Sequence, residues 1–176
     1  MGNFNNNIIL EKLVNDLRPY YAKIAALVSE IDGPFVNLFE AGIFVASIAT
    51  LKILSFRKVD SQKFADEFNV RWINYLVDSY EVGGESLAKN HLVSRLQEKF
   101  HIYGDLFIKT LDSSDAEKSH NNSVQLMWEL FSNCTEKKKP DTNANFLNLV
   151  MASDQLVFIC GNIFNDIDEE SLFKQM

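Results

Sequence analysis

At 176 residues the chain fits one domain, and with 47% hydrophobic and 12% aromatic residues it can bury a sizeable core without disulfides or metals. Its 17 basic against 24 acidic side chains leave a net charge of -7, which repels phosphate backbones and anionic headgroups and argues against nucleic acid as a direct ligand. Cys134 and Cys160 lack CxxC spacing and sit in apolar segments, so they are expected to be buried free thiols in a reducing, cytoplasmic compartment.

The opening MGNFNNNIIL carries no basic-then-apolar signal pattern, and Asn6 stands where a myristoylation signal has Ser or Thr. With 3 prolines and 7 glycines as punctuation, the apolar residues recur at three and four. This pattern predicts a single all-α domain over residues 1–176, an irregular bundle of about six helices around an apolar central helix at about 34–57.

The first helix is expected over about 8–31, with Leu10, Leu13, Leu17, Tyr20, Ile24, Leu27 and Ile31 on one stripe and Pro19 kinking or dividing it. Asp32-Gly33-Pro34 then reads as a stop and start, with Gly33 in a left-handed cap and Pro34 in the next first turn.

The second helix, in GPFVNLFEAGIFVASIATLKIL, raises the question of a membrane span. Its charge-free run covers only 41–51, against the roughly 20 apolar residues a span needs. Gly42, Ala46 and Ala49 lie close together on the wheel and suit the close approach of a neighbouring helix, so the segment is read as a core helix with no stable membrane insertion.

Helix three is expected to start at Asp60 or Ser61, to turn Phe64, Phe68, Trp72, Tyr75 and Leu76 inward, and to end at Gly83 and Gly84. Helix four spans about 86–111, capped by Ser86, with Leu92, Leu96, Phe100, Tyr103 and Phe107 as its buried arc. Residues 112–122 read as an exposed loop, and helix five follows at 123–134 with Val124, Met127, Trp128 and Phe131 facing in. A second polar loop at 135–143 carries a solvated lysine run, and helix six covers about 144–167 ahead of an acidic tail expected to fray.

Two carboxylates, Glu40 and Asp154, interrupt the two most apolar helices, and buried carboxylates require partners. Arg18, Lys52, Arg71 and Arg95 are the cations available. Glu40 or Asp154 could fix the polar end of an apolar ligand held between helices two, three and six, with Phe64, Phe68, Trp72 and Tyr75 lining the space.

Glu-x-x-His occurs at Glu98 and His101 and again at Glu117 and His120, a spacing used by di-iron bundles. Glu98 and His101 lie opposite the buried arc, however, and the second pair falls in the predicted loop. No metal or other cofactor is therefore expected, with Glu98 and His101 the nearest candidates. Ser86 and Lys89 match Ser-x-x-Lys without its companion motifs, and no catalytic residue is assigned.

The expected function is that of a soluble interaction module, an inhibitor, adaptor or immunity-type protein whose acidic surface docks on another protein. Its anchors would be the exposed members of Tyr20, Tyr21, Trp72, Tyr80 and Trp128. The alternatives are a bundle that binds an apolar or lipid-like small molecule and a metal-dependent helical enzyme using Glu40, Glu98, His101 and Asp154. A homodimer is compatible with any of the three.

Overall fold

A computed structural model describes residues 2–33, 37–79, 85–111, 114–135, 137, 140 and 142–174. The expectations placed on Pro34, Tyr80, Gly83, Gly84, the Ser86 side chain and most of the lysine run lie outside the described residues. The described chain is an all-α bundle of six long helices and one short one: α1 (Gly2–Asp32), α2 (Leu38–Ile53), α3 (Ser61–Ser79), α4 (Glu85–Leu111), α5 (Ala116–Thr135), α6 (Asn143–Asp166) and α7 (Glu169–Phe173).

α2 is the centre of the bundle and packs against every other long helix. All residues from Glu40 to Thr50 are buried, as a helix apolar on every side requires. It is shorter than the 34–57 expected. Asn37 caps it by accepting a hydrogen bond from the Phe39 amide, and after Ile53 the tight Ser55-to-Lys52 and Phe56-to-Ile53 bonds turn the chain out of the helix.

The small-residue strip works as its position suggests. A Cβ placed on Gly42 would lie 2.6 Å from Leu76 Cδ1, so a larger residue there would force the Leu76 side chain to shift, and the Trp72 indole N–H donates to the Gly42 carbonyl at 2.9 Å. Trp72 is thereby closed into the core with Phe68, its ring centroid 6.2 Å away.

Pro19 lies inside α1 and does not divide it. Gly33, at φ 97°, ends the helix with its amide on the Ser29 carbonyl. The α1 stripe is buried as expected except at one place, where Tyr21 rather than Tyr20 points inward. Both lie within three or four residues of Leu17, so spacing alone allows either. Tyr21 sets its ring edge-on to Trp72 at 6.3 Å, while Tyr20 stays at the rim and donates to Asp166 at the end of α6. Burial and that hydrogen bond push the Tyr20 phenol up to about 12.

The expected loop at 112–122 is corrected: α5 begins at Ala116. Asp115 caps it by accepting from the Glu117 and Lys118 amides. The added turns are held to the end of α4 by polar bonds, Ser119 to the Thr110 carbonyl and Asn122 to the Lys109 carbonyl, which leave no apolar periodicity to read.

The acidic tail is corrected too. Instead of fraying, Glu169 accepts from the Arg57 and Lys58 amides, and α7 sets Phe173 against Phe56 and Phe64 at centroid distances of 6.3 and 5.6 Å.

The Gly42–Leu76 approach predicts a reversal. Gly42→Ala alone should cost about 1–3 kcal/mol by overpacking despite alanine's better helix propensity. In a Leu76→Ala background the same change should be neutral or stabilising, as a denaturation double-mutant cycle will measure.

Candidate functional site

The site residues expected from sequence do not come together in one place. Phe64, Phe68 and Trp72 are buried in the packed interior. Tyr75, half-buried, carries the Arg18 guanidinium 4.4 Å from its ring centre and borders an outer cleft between α1 and α3. Phe64, Phe68 and Trp72 pack against the rings of Phe56, Phe173 and Tyr21 and against one another. A groove of about 440 Å³ opens on the other side of α3, against α4, with Ile73, Leu96 and Phe100 in its wall beside Thr50, Asn69 and His101.

Glu40 and Asp154 do not share a site. Glu40 pairs with Arg95 on α4, one of the four cations considered, whereas Asp154 lies on the outer face of α6 with the His120 imidazole beside it, Nδ1 to Oδ1 at 3.5 Å. Glu98 and His101 are both exposed on α4. Glu98 is engaged by Arg95 at 3.0 Å, and the His101 ring leans on Phe100 at 5.2 Å. Glu117 and His120 sit on α5, not in a loop. Among the described residues no group of three or more His, Cys, Asp or Glu side chains is placed to hold a metal ion, and the four ligands of the helical-enzyme reading do not converge.

Glu40 anchors a polar network that joins α2, α4 and α5. Its position, three residues after the Asn37 cap, matches a capping box, in which the carboxylate would turn back to the cap amide. That amide is already bonded to the Cys134 carbonyl at 2.6 Å, so Glu40 is free to meet Arg95. Arg95 spends its remaining nitrogens on Glu98 at 3.0 Å and Asn133 at 3.1 Å. Asn133 in turn donates to the Tyr103 hydroxyl at 3.0 Å and to Glu129, which receives Lys99 at 2.9 Å.

The charges follow from these contacts. Burial alone would ease a proton off Arg95, but its bonds and attraction to Glu40 and Glu98 outweigh this and raise its pKa. Burial alone would likewise raise the Glu129 carboxyl, but hydrogen bonds from Lys99 and Asn133 hold it below the ordinary value. The Tyr103 phenol is driven well up by burial, with the Glu40 charge adding to the effect. Burial also pushes both cysteine thiols up, which makes them inert structural groups.

Sequence reading missed Lys99 as an interior residue. The signal was present: Leu92, Leu96, Lys99, Tyr103 and Leu106 recur at four and three, so Lys99 occupies a core position that its charge can accept only with a carboxylate opposite.

The outer face of α6 is the second feature the sequence did not display. Leu147, Met151, Asp154 and Phe158 follow one another at four, three and four residues, which puts them on one side of the helix. The three apolar members are 59%, 65% and 71% exposed. Phe146, 46% exposed, widens the stripe where its ring meets Trp128 at 5.9 Å.

By length and composition the stretch Asn143–Phe173 is apolar enough to cross a bilayer, at a mean hydropathy of 1.4, and a third of its most apolar window is buried. The membrane question thus moves from α2, buried from Glu40 to Thr50, to α6. That helix turns Leu149, Leu156, Cys160 and Ile163 into the bundle and leaves Leu147, Met151 and Phe158 outside.

Of the five expected aromatic anchors, Trp72 and Tyr21 are buried, Tyr20 and Trp128 half-buried, and Tyr80 lies outside the described residues. Comparisons of the chain with models of protein families, with characterised proteins and with solved structures give no significant match.

Three outcomes are expected. Arg95→Ala, which strands the Glu40 charge, should cost about 3–5 kcal/mol, and Glu40→Gln added to it should return a large part of that loss in urea unfolding. Because the Glu129 pKa is depressed in the folded state, its contribution is present above the ordinary carboxylate range and lost as pH falls through the folded value; Glu129→Gln should flatten the acid limb of a stability-against-pH curve. Neither thiol should react with a maleimide at pH 8 until the chain is unfolded, when both should.

Proposed function

We propose that this chain is a protein-interaction module whose outer α6 face receives an amphipathic helix of a basic partner protein. The observation that carries the reading is the exposed stripe of Leu147, Met151 and Phe158, spaced as helix-in-groove and helix-on-helix contacts are spaced. Large apolar side chains this exposed in one row lose water only when something covers them.

Charge selects the occupant. Asp154 is the one Asp, Glu, Lys or Arg between 143 and 165, it sits within the stripe, and the chain as a whole carries -7. A partner helix with apolar residues flanking a Lys or Arg satisfies both features. A second copy would bring two Asp154 carboxylates and two acidic surfaces together. A bilayer would have to accept Asp154 at a cost of about 2.5–3.5 kcal/mol at its centre. The two buried free thiols support a reducing, cytoplasmic setting.

The test is a photo-crosslinking residue at Met151 in the native host, followed by affinity measurements on the purified captured protein. Phe158→Ser and Asp154→Lys should each weaken that complex by roughly tenfold or more. Crosslinks confined to a second copy or to lipid, no reproducible crosslinked protein, or a complex indifferent to both substitutions would contradict the proposal.

A further inference from the structure

We infer that the cavity beside Glu40 is a binding site for a small organic cation bearing N–H donors, a primary ammonium or a guanidinium. The cavity encloses about 490 Å³ where the start of α2 faces α4 and α5, a volume within the range of about 300–1,000 Å³ seen in small-molecule sites. Glu40, Ser94, Arg95, Glu98, Ser132 and Asn133 form most of its wall.

One observation asks for a donor. The Glu40 side chain is 8% exposed, and while its Oε1 accepts from Arg95, its Oε2 is buried with no hydrogen-bond partner. A buried carboxylate oxygen left unmatched costs free energy that a positioned N–H recovers.

The neighbouring groups decide the sign of the ligand. An anion would face the Glu40 and Glu98 carboxylates and compete with them for Arg95, which directs Nε to Glu40, Nη1 to Glu98 and Nη2 to Asn133; the other side-chain donors of the wall include the His91 imidazole and the Ser94 and Ser132 hydroxyls. The amides of Phe39, Glu40 and Ala41 are bonded within the first turn to the side chain or carbonyl of Asn37. The positive end of α2 is therefore already answered by its own cap.

On the acceptor side the carboxylates of Glu40 and Glu98 share the Arg95 guanidinium, Lys99 stands 3.9 Å from Glu98 but bonds Glu129 at 2.9 Å, and the Ser94 and Ser132 hydroxyls can accept as well. A cation entering beside Arg95 would place one N–H on the unmatched oxygen of Glu40, the acceptor of the wall that the protein itself leaves without a donor. The α6 stripe plays no part in this site, so the inference is independent of the interaction surface.

The experiment is an NMR titration of the 15N-labelled full chain with butylammonium chloride and with methylguanidinium chloride, using sodium butyrate at equal ionic strength as the control. Saturable shifts at Asn37–Ala41, Ser94–Glu98 and Asn133 are expected from the cations and not from butyrate. Glu40→Gln should weaken the binding at least tenfold, and Glu98→Gln less.

Ser94→Leu fills the cavity from an exposed position and should abolish the shifts while the rest of the spectrum is kept, which covers the case in which Glu40→Gln fails to fold. Non-saturating shifts spread over the surface, an equal response to butyrate, or saturation that survives Ser94→Leu would overturn the inference. So would a crystal of the cation-soaked protein in which Glu40 Oε2 holds only a water.

Discussion

The pairing of Glu40 with Arg95 is the constraint that the interior has to accommodate. α2 touches every other long helix, and it carries a carboxylate in its first turn, 8% exposed, where an uncompensated charge would be several kcal/mol unfavourable. The arrangement around it is a sequence of consequences. The Asn37 amide goes to the Cys134 carbonyl, which frees Glu40; Glu40 takes Arg95; Arg95 fixes Asn133; Asn133 and Lys99 together hold Glu129. One end of the α2–α4–α5 interface is thereby set by directional bonds, and non-directional apolar packing fills the rest. Such a network contributes more to a single register of the three helices than to net stability, since a buried pair seldom outdoes a well-packed apolar one.

The remaining contacts of α2 are secured differently. Two residues on from Glu40, Gly42 lets Leu76 and Trp72 of α3 approach closely, and beyond the other end of α2, α7 closes the base through Phe173 and the Glu169 bonds to the Arg57 and Lys58 amides. With α2 buried on all sides, the bundle is complete without the outer face of α6. That separation is what makes the Leu147, Met151 and Phe158 stripe informative: its exposure is left over after the fold's own demands are met.

Sequence reading recovered the elements whose formation depends on apolar period or on a single strong local signal. The stripes of α1 and α3 apart from Tyr20 and Tyr75, the burial of α2, the left-handed Gly33 and the cap at Asp60 belong to that set. It failed where polar groups build structure. The first turns of α5 rest on Asp115, Ser119 and Asn122, and α7 rests on backbone amides of a distant loop, neither of which leaves a period of three and four.

In the site, the need of Glu40 for a cation was legible and Arg95 stood among those considered, but Asp154 looked equivalent to Glu40 because each interrupts a long apolar stretch. Only packing reveals that one helix is enclosed and the other is turned half outward. The four-three rhythm through Lys99 held the remaining clue, since a lysine in a core register implies an acid opposite.

The central claim is that the outer α6 stripe is not needed by the fold. The most direct measurement is the thermal unfolding midpoint of a variant carrying Leu147→Ser, Met151→Ser and Phe158→Ser together. Exposed side chains predict a change no larger than about 0.5 kcal/mol per site, so the cooperative transition should stay within a few degrees of the parent. A collapse of the midpoint, or loss of the cooperative transition, would mean that these side chains hold the bundle together and are not a surface kept for a partner.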